Sequence, residues 1–121
     1  RYDAAPKGRS LRPLAAKGHP LLPFLDAKAA KAFGTEMAHF YISRLPPDAL
    51  LKEKDKQLAA KAKQAMEKMA EQITAFKKTN TLNIYKVAQM GNAFKWTMKD
   101  AGYSDDYVDK VTQWFIVSVK L

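Results

Sequence analysis

The side chains able to do chemistry are few, and their spacing argues against catalysis. Asp105, Asp106 and Asp109 form a carboxylate cluster that a metal or an acid/base pair would require. They follow Ser104 directly, however. A Ser N-cap with acidic residues in the first turn is what the positive end of a helix dipole favours. The loop spacing and Gly of a Ca²⁺ site are missing. His19 and His39 are the only histidines and the chain has no Cys. With neither a thiolate nor a second His one turn away, a Zn site lacks its ligands. Ser43 and Ser104 could serve as nucleophiles only in a turn such as G-x-S-x-G, and neither sits in one. Neither phosphate-cradling pattern, G-x-G-x-x-G or G-x-x-x-x-G-K, occurs. The expectation is a protein that is not an enzyme, with no catalytic, cofactor-binding or metal-binding residues.

What the elements must position is therefore a surface. The pattern predicts an all-α domain over 26–121 with about four helices, at roughly 26–44, 48–78, 82–101 and 105–119. Asp26 is the expected cap of the first, with Ala29, Phe33, Met37, Phe40 and Tyr41 on its inner stripe. Gly34-Thr35 suggests an interruption there. Leu45-Pro46-Pro47 forces extended backbone, and Pro47 then suits the first turn of the second helix. That helix is rich in Ala, Lys, Glu, Gln and Met, all of which lose little freedom in a helix. Unbroken, it would be a rod of roughly 45 Å. Its seam runs Leu51, Leu58, Ala62, Ala65, Met69, Ile73, Phe76, and falters where Lys54 and Asp55 occupy the expected turn. Lysines on its outer face alternate with Glu53, Glu67 and Glu71, which makes it a strut rather than a binding face.

Asn80 or Thr81 is the expected cap of the third helix, which is apolar on two sides. One stripe holds Ile84, Val87, Ala88, Gly91, Phe94, Met98 and Ala101; the other holds Leu82, Tyr85, Ala93 and Trp96. Such a helix is central or shared with a partner. The run from Val87 to Thr97 resembles the first helix and turn of a DNA-reading helix-turn-helix. Its small residue, Ala88, stands three rather than four positions before Gly91, and the stripe continues beyond the Gly, so one helix is the better reading. Gly91 implies a close backbone contact that offsets its poor helix propensity. Gly102 to Ser104 leaves room only for a tight connection, which makes the last two helices an antiparallel hairpin. Val108, Val111, Phe115 and Val119 are its inner stripe. Residues 113–121 are β-branched and aromatic enough to end as helix or strand.

Residues 1–25 differ from all this. They carry four of the six Pro, and five basic residues against one acidic. The Pro residues exclude a regular helix or central strand, so an extended, Pro-rich basic arm is expected. Its leucines and Phe24 are too apolar for a solvated linker, which implies that it lies on a surface, its own or a partner's. The net charge of +9 points to an acidic partner. The partner classes this admits are protein subunits of a larger complex, nucleic acid, and an anionic lipid surface; no transmembrane segment is expected. The residues singled out for partner binding are Arg1, Lys7, Arg9, Arg12, Lys17, Leu21 and Phe24 in the arm, and Tyr85 and Trp96 on the second stripe of the third helix.

The segment Ser43–Lys54, SRLPPDALLKEK, resembles the R-R-L-P-then-helix turn of a small matrix-side subunit of the mitochondrial cytochrome bc1 complex. The later part of that family's pattern is missing, so no residue roles carry over. The first residue is Arg rather than Met, which suggests a processed chain or a fragment. These features lead to the expectation of a non-catalytic structural or accessory subunit of a large multiprotein assembly. The setting favoured is the matrix side of the mitochondrial inner membrane, in ATP synthase or a respiratory complex. The competing expectation is a basic RNA- or DNA-associated protein, such as a ribosomal or nucleoid component.

Overall fold

A computed structural model describes residues 26–121, and the arm with its seven predicted partner-binding residues lies outside them. The described chain is all-α: four long helices and one short one, with no strand among the described residues. They are α1 (Lys28–Arg44), α2 (Pro47–Lys52), α3 (Asp55–Thr79), α4 (Ile84–Ala101) and α5 (Asp105–Lys120).

The start and stop signals act mostly as their chemistry dictates. Pro46 is extended and Pro47 opens α2. Ser104 accepts the Tyr107 N–H at the head of α5, and Gly102, at φ 107°, ends α4 in the left-handed conformation that only Gly adopts freely. Three boundaries differ from expectation. Asp26 does not cap α1 from the N-cap position; that place is taken by Ala27, and the Asp26 carboxylate accepts the Lys28 N–H at 3.0 Å. Asn83, not Asn80 or Thr81, caps α4 by accepting the Lys86 N–H at 2.8 Å. The expected 48–78 rod is broken at Glu53 and Lys54, both extended at ψ near 150°. The break falls where the apolar seam fails. Leu51 has nothing to pack on and is 88% exposed, while Asp55 gains the favourable dipole position by opening a new helix. Residues 113–121 end as helix, α5 running to Lys120.

Four long helices form a square in which α1 packs on α4, α4 on α5, α5 on α3, and α3 on α1. Consecutive in sequence, α3 and α4 face each other across the diagonal. The tightest side is α1 against α4. Ala30, Gly34 and Ala38, four residues apart, make a buried ridge of small side chains on α1. A Cβ placed on Gly34 would lie 2.3 Å from the Met90 carbonyl oxygen and 3.3 Å from the Ala93 Cβ. Far from interrupting α1, Gly34 is where a neighbouring backbone enters. The close backbone contact expected at Gly91 is thus made at Gly34 instead; Gly91 makes room for the Ile116 side chain.

Around this contact the core is built from one Phe per long helix. Phe76 of α3 stacks on Phe33 of α1 with centroids 4.3 Å apart, and Phe94 of α4 stacks on Phe115 of α5 at 4.5 Å. Phe33 and Phe115, 6.4 Å apart, join the two pairs. Met37, Met69, Met90 and Met98 fill the space beside them.

The two helical glycines predict opposite results. Gly34→Ala gains helix propensity but meets carbonyl backbone that cannot step aside, and is expected to destabilise by about 1–3 kcal/mol in urea denaturation. Gly91→Ala meets only the flexible end of Ile116. Its expected effect is within about 1 kcal/mol of neutral, the size of the propensity gain itself.

Candidate functional site

The acids and histidines of the described residues do not converge. Among the described residues, no group of three His, Cys, Asp or Glu could hold a metal ion. Asp105 and Asp106 occupy the first turn of α5 behind the Ser104 cap, and Asp105 reaches Lys99 at 3.6 Å. His39 is exposed on α1. Ser43 donates to the Phe40 carbonyl at 2.6 Å in the last turn of α1, a local backbone contact rather than a nucleophile's partner.

Among the described residues, one polar cluster is largely buried. At the end of the bundle where α1 finishes and α5 begins, the Tyr41 and Tyr107 hydroxyls share a hydrogen bond of 2.6 Å. The Tyr103 hydroxyl donates to the Leu45 carbonyl, and the Tyr103 and Tyr107 rings stack at 5.4 Å. Tyr103 thereby holds the chain where it leaves α1 and turns toward α2. Burial raises the pKa of Tyr41 well above the ordinary 10.0, and the hydrogen bond and charge of Tyr107 raise it further. Burial, then the charge of Tyr107, raises that of Tyr103. Phenols held protonated and hydrogen-bonded this way brace this end of the bundle. Nothing in the sequence spacing links Tyr103 and Tyr107 to Tyr41.

Two surfaces stand apart from this closed core. The first is the outer stripe of α4. Trp96 is 58% exposed and Tyr85 is 42% exposed. On a helix these positions lie on one side, with Gln89 and Asn92 between them. Lys99 lies 5.2 Å over the Trp96 ring, which keeps that large apolar face oriented and partly solvated. Both residues predicted to face a partner therefore face solvent. Their presumed stripe-mates do not: Ala93 packs on Gly34 of α1, and Leu82 leans on the core.

The second surface was not legible. An open groove of about 870 Å³ lies between the end of α3, the Asn80–Asn83 connection, the start of α4 and the last turn of α5. Leu82, Ile84, Val87, Ala88, Ile116 and Val119 give it an apolar floor, and Lys77 and Lys120 stand among its walls. Ile84, placed by periodicity on the inner stripe, is 88% exposed. The diagonal placement of α3 and α4 is the cause: their short link bridges the end of the bundle without filling it.

Comparison with family models, with curated proteins and with solved structures finds no match to this chain.

The tyrosine cluster sets an alkaline limit on stability. Phenols that stay protonated in the fold but ionise near pH 10 when unfolded contribute fully below about pH 10, and that contribution is lost as pH rises above it. Urea denaturation of the full chain from neutral to strongly alkaline pH should show this fall. Tyr41→Phe should cost about 1 kcal/mol at neutral pH through the lost hydrogen bond, and its alkaline decline should be shallower. A parallel decline in both proteins would mean that Tyr41 does not set the limit.

Proposed function

We propose that this protein is a non-catalytic accessory subunit of a multiprotein assembly, held by protein–protein contacts. The observation that carries the reading is the exposure of Trp96 and Tyr85 along one side of α4, in a domain whose core is otherwise closed by its own aromatic rings. Large aromatics bring much contact area at little entropic cost and are enriched where partners bind. The dispersal of the acids and histidines supports a role without chemistry of its own.

The basic residues Arg1, Lys7, Arg9, Arg12 and Lys17 extend the proposed contact to an acidic surface on the same assembly. A setting on the matrix side of the mitochondrial inner membrane, in ATP synthase or a respiratory complex, belongs to this proposal and rests on the likeness of Ser43–Lys54 alone. No described helix is long and apolar enough to cross a membrane, so attachment to such a complex would run through subunit surfaces.

Nucleic acid is the competing partner because of the net charge of +9. On α3 the exposed Lys63 and Lys68 lie within one turn of exposed Glu67 and Glu71, which weakens the field a phosphate backbone would meet.

Affinity purification of the full chain from its native cells tests the reading. Trp96→Ala with Tyr85→Ala, both about half exposed, should cost no more than about 1–3 kcal/mol of folding stability and leave the helix content intact, yet release the co-purifying subunits. Unchanged co-purification would remove α4 from the interface and the proposal with it. A fluorescence titration with RNA separates the competing reading: phosphate binding must weaken by orders of magnitude between about 50 and 200 mM salt, and the subunit reading expects no such binding.

A further inference from the structure

We propose that the apolar groove at the α3–α4 end of the bundle is the seat of the chain's own residues Pro20, Leu21, Leu22, Pro23, Phe24 and Leu25. This goes beyond the accessory-subunit reading and does not depend on it. It leaves Arg1 to Lys17 free for a partner but fixes the point from which they project.

Register brings the segment to the groove. Gly34 lies against Met90 and Ala93, while farther on Leu45 accepts from Tyr103, so α1 and α4 run in the same sense. Counting back from Gly34 therefore places Ala27 level with the first turn of α4, where Asn83, Ile84 and Val87 line the groove. Ala27 is buried in the core cluster, so the chain enters the fold at this end. Five residues before Asp26 span at most about 17 Å when extended, more than the roughly 10 Å between packed helix axes.

Chemistry matches segment to groove. Pro20 to Leu25 carries no charge and no polar side chain. Two Pro residues in six disfavour a helix and favour extended backbone, the shape that suits a cleft between helix ends. The floor offers Leu82, Val87, Ile116 and Val119, with Ile84 standing uncovered beside them. Lys77 and Lys120 repel cationic residues, so the neutral segment suits the groove better than the basic residues upstream of it. Tethering favours this occupant over a second copy, because a short linker holds the segment at an effective concentration near the millimolar range.

The absence of Cys makes a clean test. In the full chain, His19→Cys is paired with Lys120→Cys at the groove, or with Glu71→Cys on the exposed side of α3, about two turns before its end. Under mild oxidation the Lys120 pair should close an intramolecular disulfide at least about tenfold faster than the Glu71 pair, the preference a docked tether confers. Adding Leu22→Asp and Phe24→Asp should abolish the difference. All substitutions lie on exposed positions or outside the described helices, and helix content by circular dichroism checks that the fold is kept. Equal rates for the two pairs overturn the proposal. So does a disulfide formed chiefly between two molecules, which would assign the groove to a second copy. Neither result bears on co-purification through Trp96, so the two readings fail separately.

Discussion

The fold depends on one missing side chain. Gly34 lets the backbone of α4 come against α1, and that separation sets the level at which everything else packs. With α1 and α4 in contact, Phe33 and Phe94 stand close enough for Phe115 to reach both, and Phe76 closes on the outer face of Phe33. Small residues at Ala30 and Ala38 continue the same ridge. Interiors packed to near-crystalline density transmit a local displacement rather than absorb it. A wider α1–α4 spacing would therefore part the rings that tie four helices together.

Periodicity made the helical class and the inner stripe of α5 legible, because apolar residues at helical spacing have few other uses. Val108, Val111, Phe115 and Val119 are all buried. The turn at Gly102 was equally plain, since few residues other than Gly take its positive φ. Gly34 misled for the same reason that Gly102 did not: a Gly weakens a helix, and only a facing backbone, invisible from local sequence, explains why one is kept. The break at Glu53–Lys54 was half visible as a gap in the seam, but high helix propensity on both sides hid it. Of the candidate site, Trp96 and Tyr85 were found because two apolar stripes cannot both face one core. Ile84 was misplaced because its exposure depends on where α3 lies, which periodicity within α4 cannot report.

The two outward surfaces differ in physical character. Trp96 and Tyr85 sit on a rigid helix and keep their geometry without a partner, so binding there costs little ordering. The groove at the start of α4 is a consequence of connectivity: a short link crosses the diagonal of the square, and the space beneath it stays apolar and open. The buried tyrosines seal the opposite end of the bundle, where Tyr103 pins the chain between α1 and α2. One end is thus closed by hydrogen bonds and the other is left for apolar contact.

Side-by-side helices of the same sense cannot be joined by a short loop, and α1 and α4 are such a pair. The ridge of Ala30, Gly34 and Ala38 therefore waits, during synthesis, for a partner that emerges only after all of α3 has been made. Until then it presents a small-residue face with little apolar area to attract a wrong neighbour. The α4–α5 hairpin can form locally as soon as both helices are free, whereas docking of α1 closes the longest loop in the domain and bears the largest chain-entropy penalty. The parallel sense of this one contact therefore separates the two halves of the ridge's packing in time far more than the α4–α5 hairpin is separated.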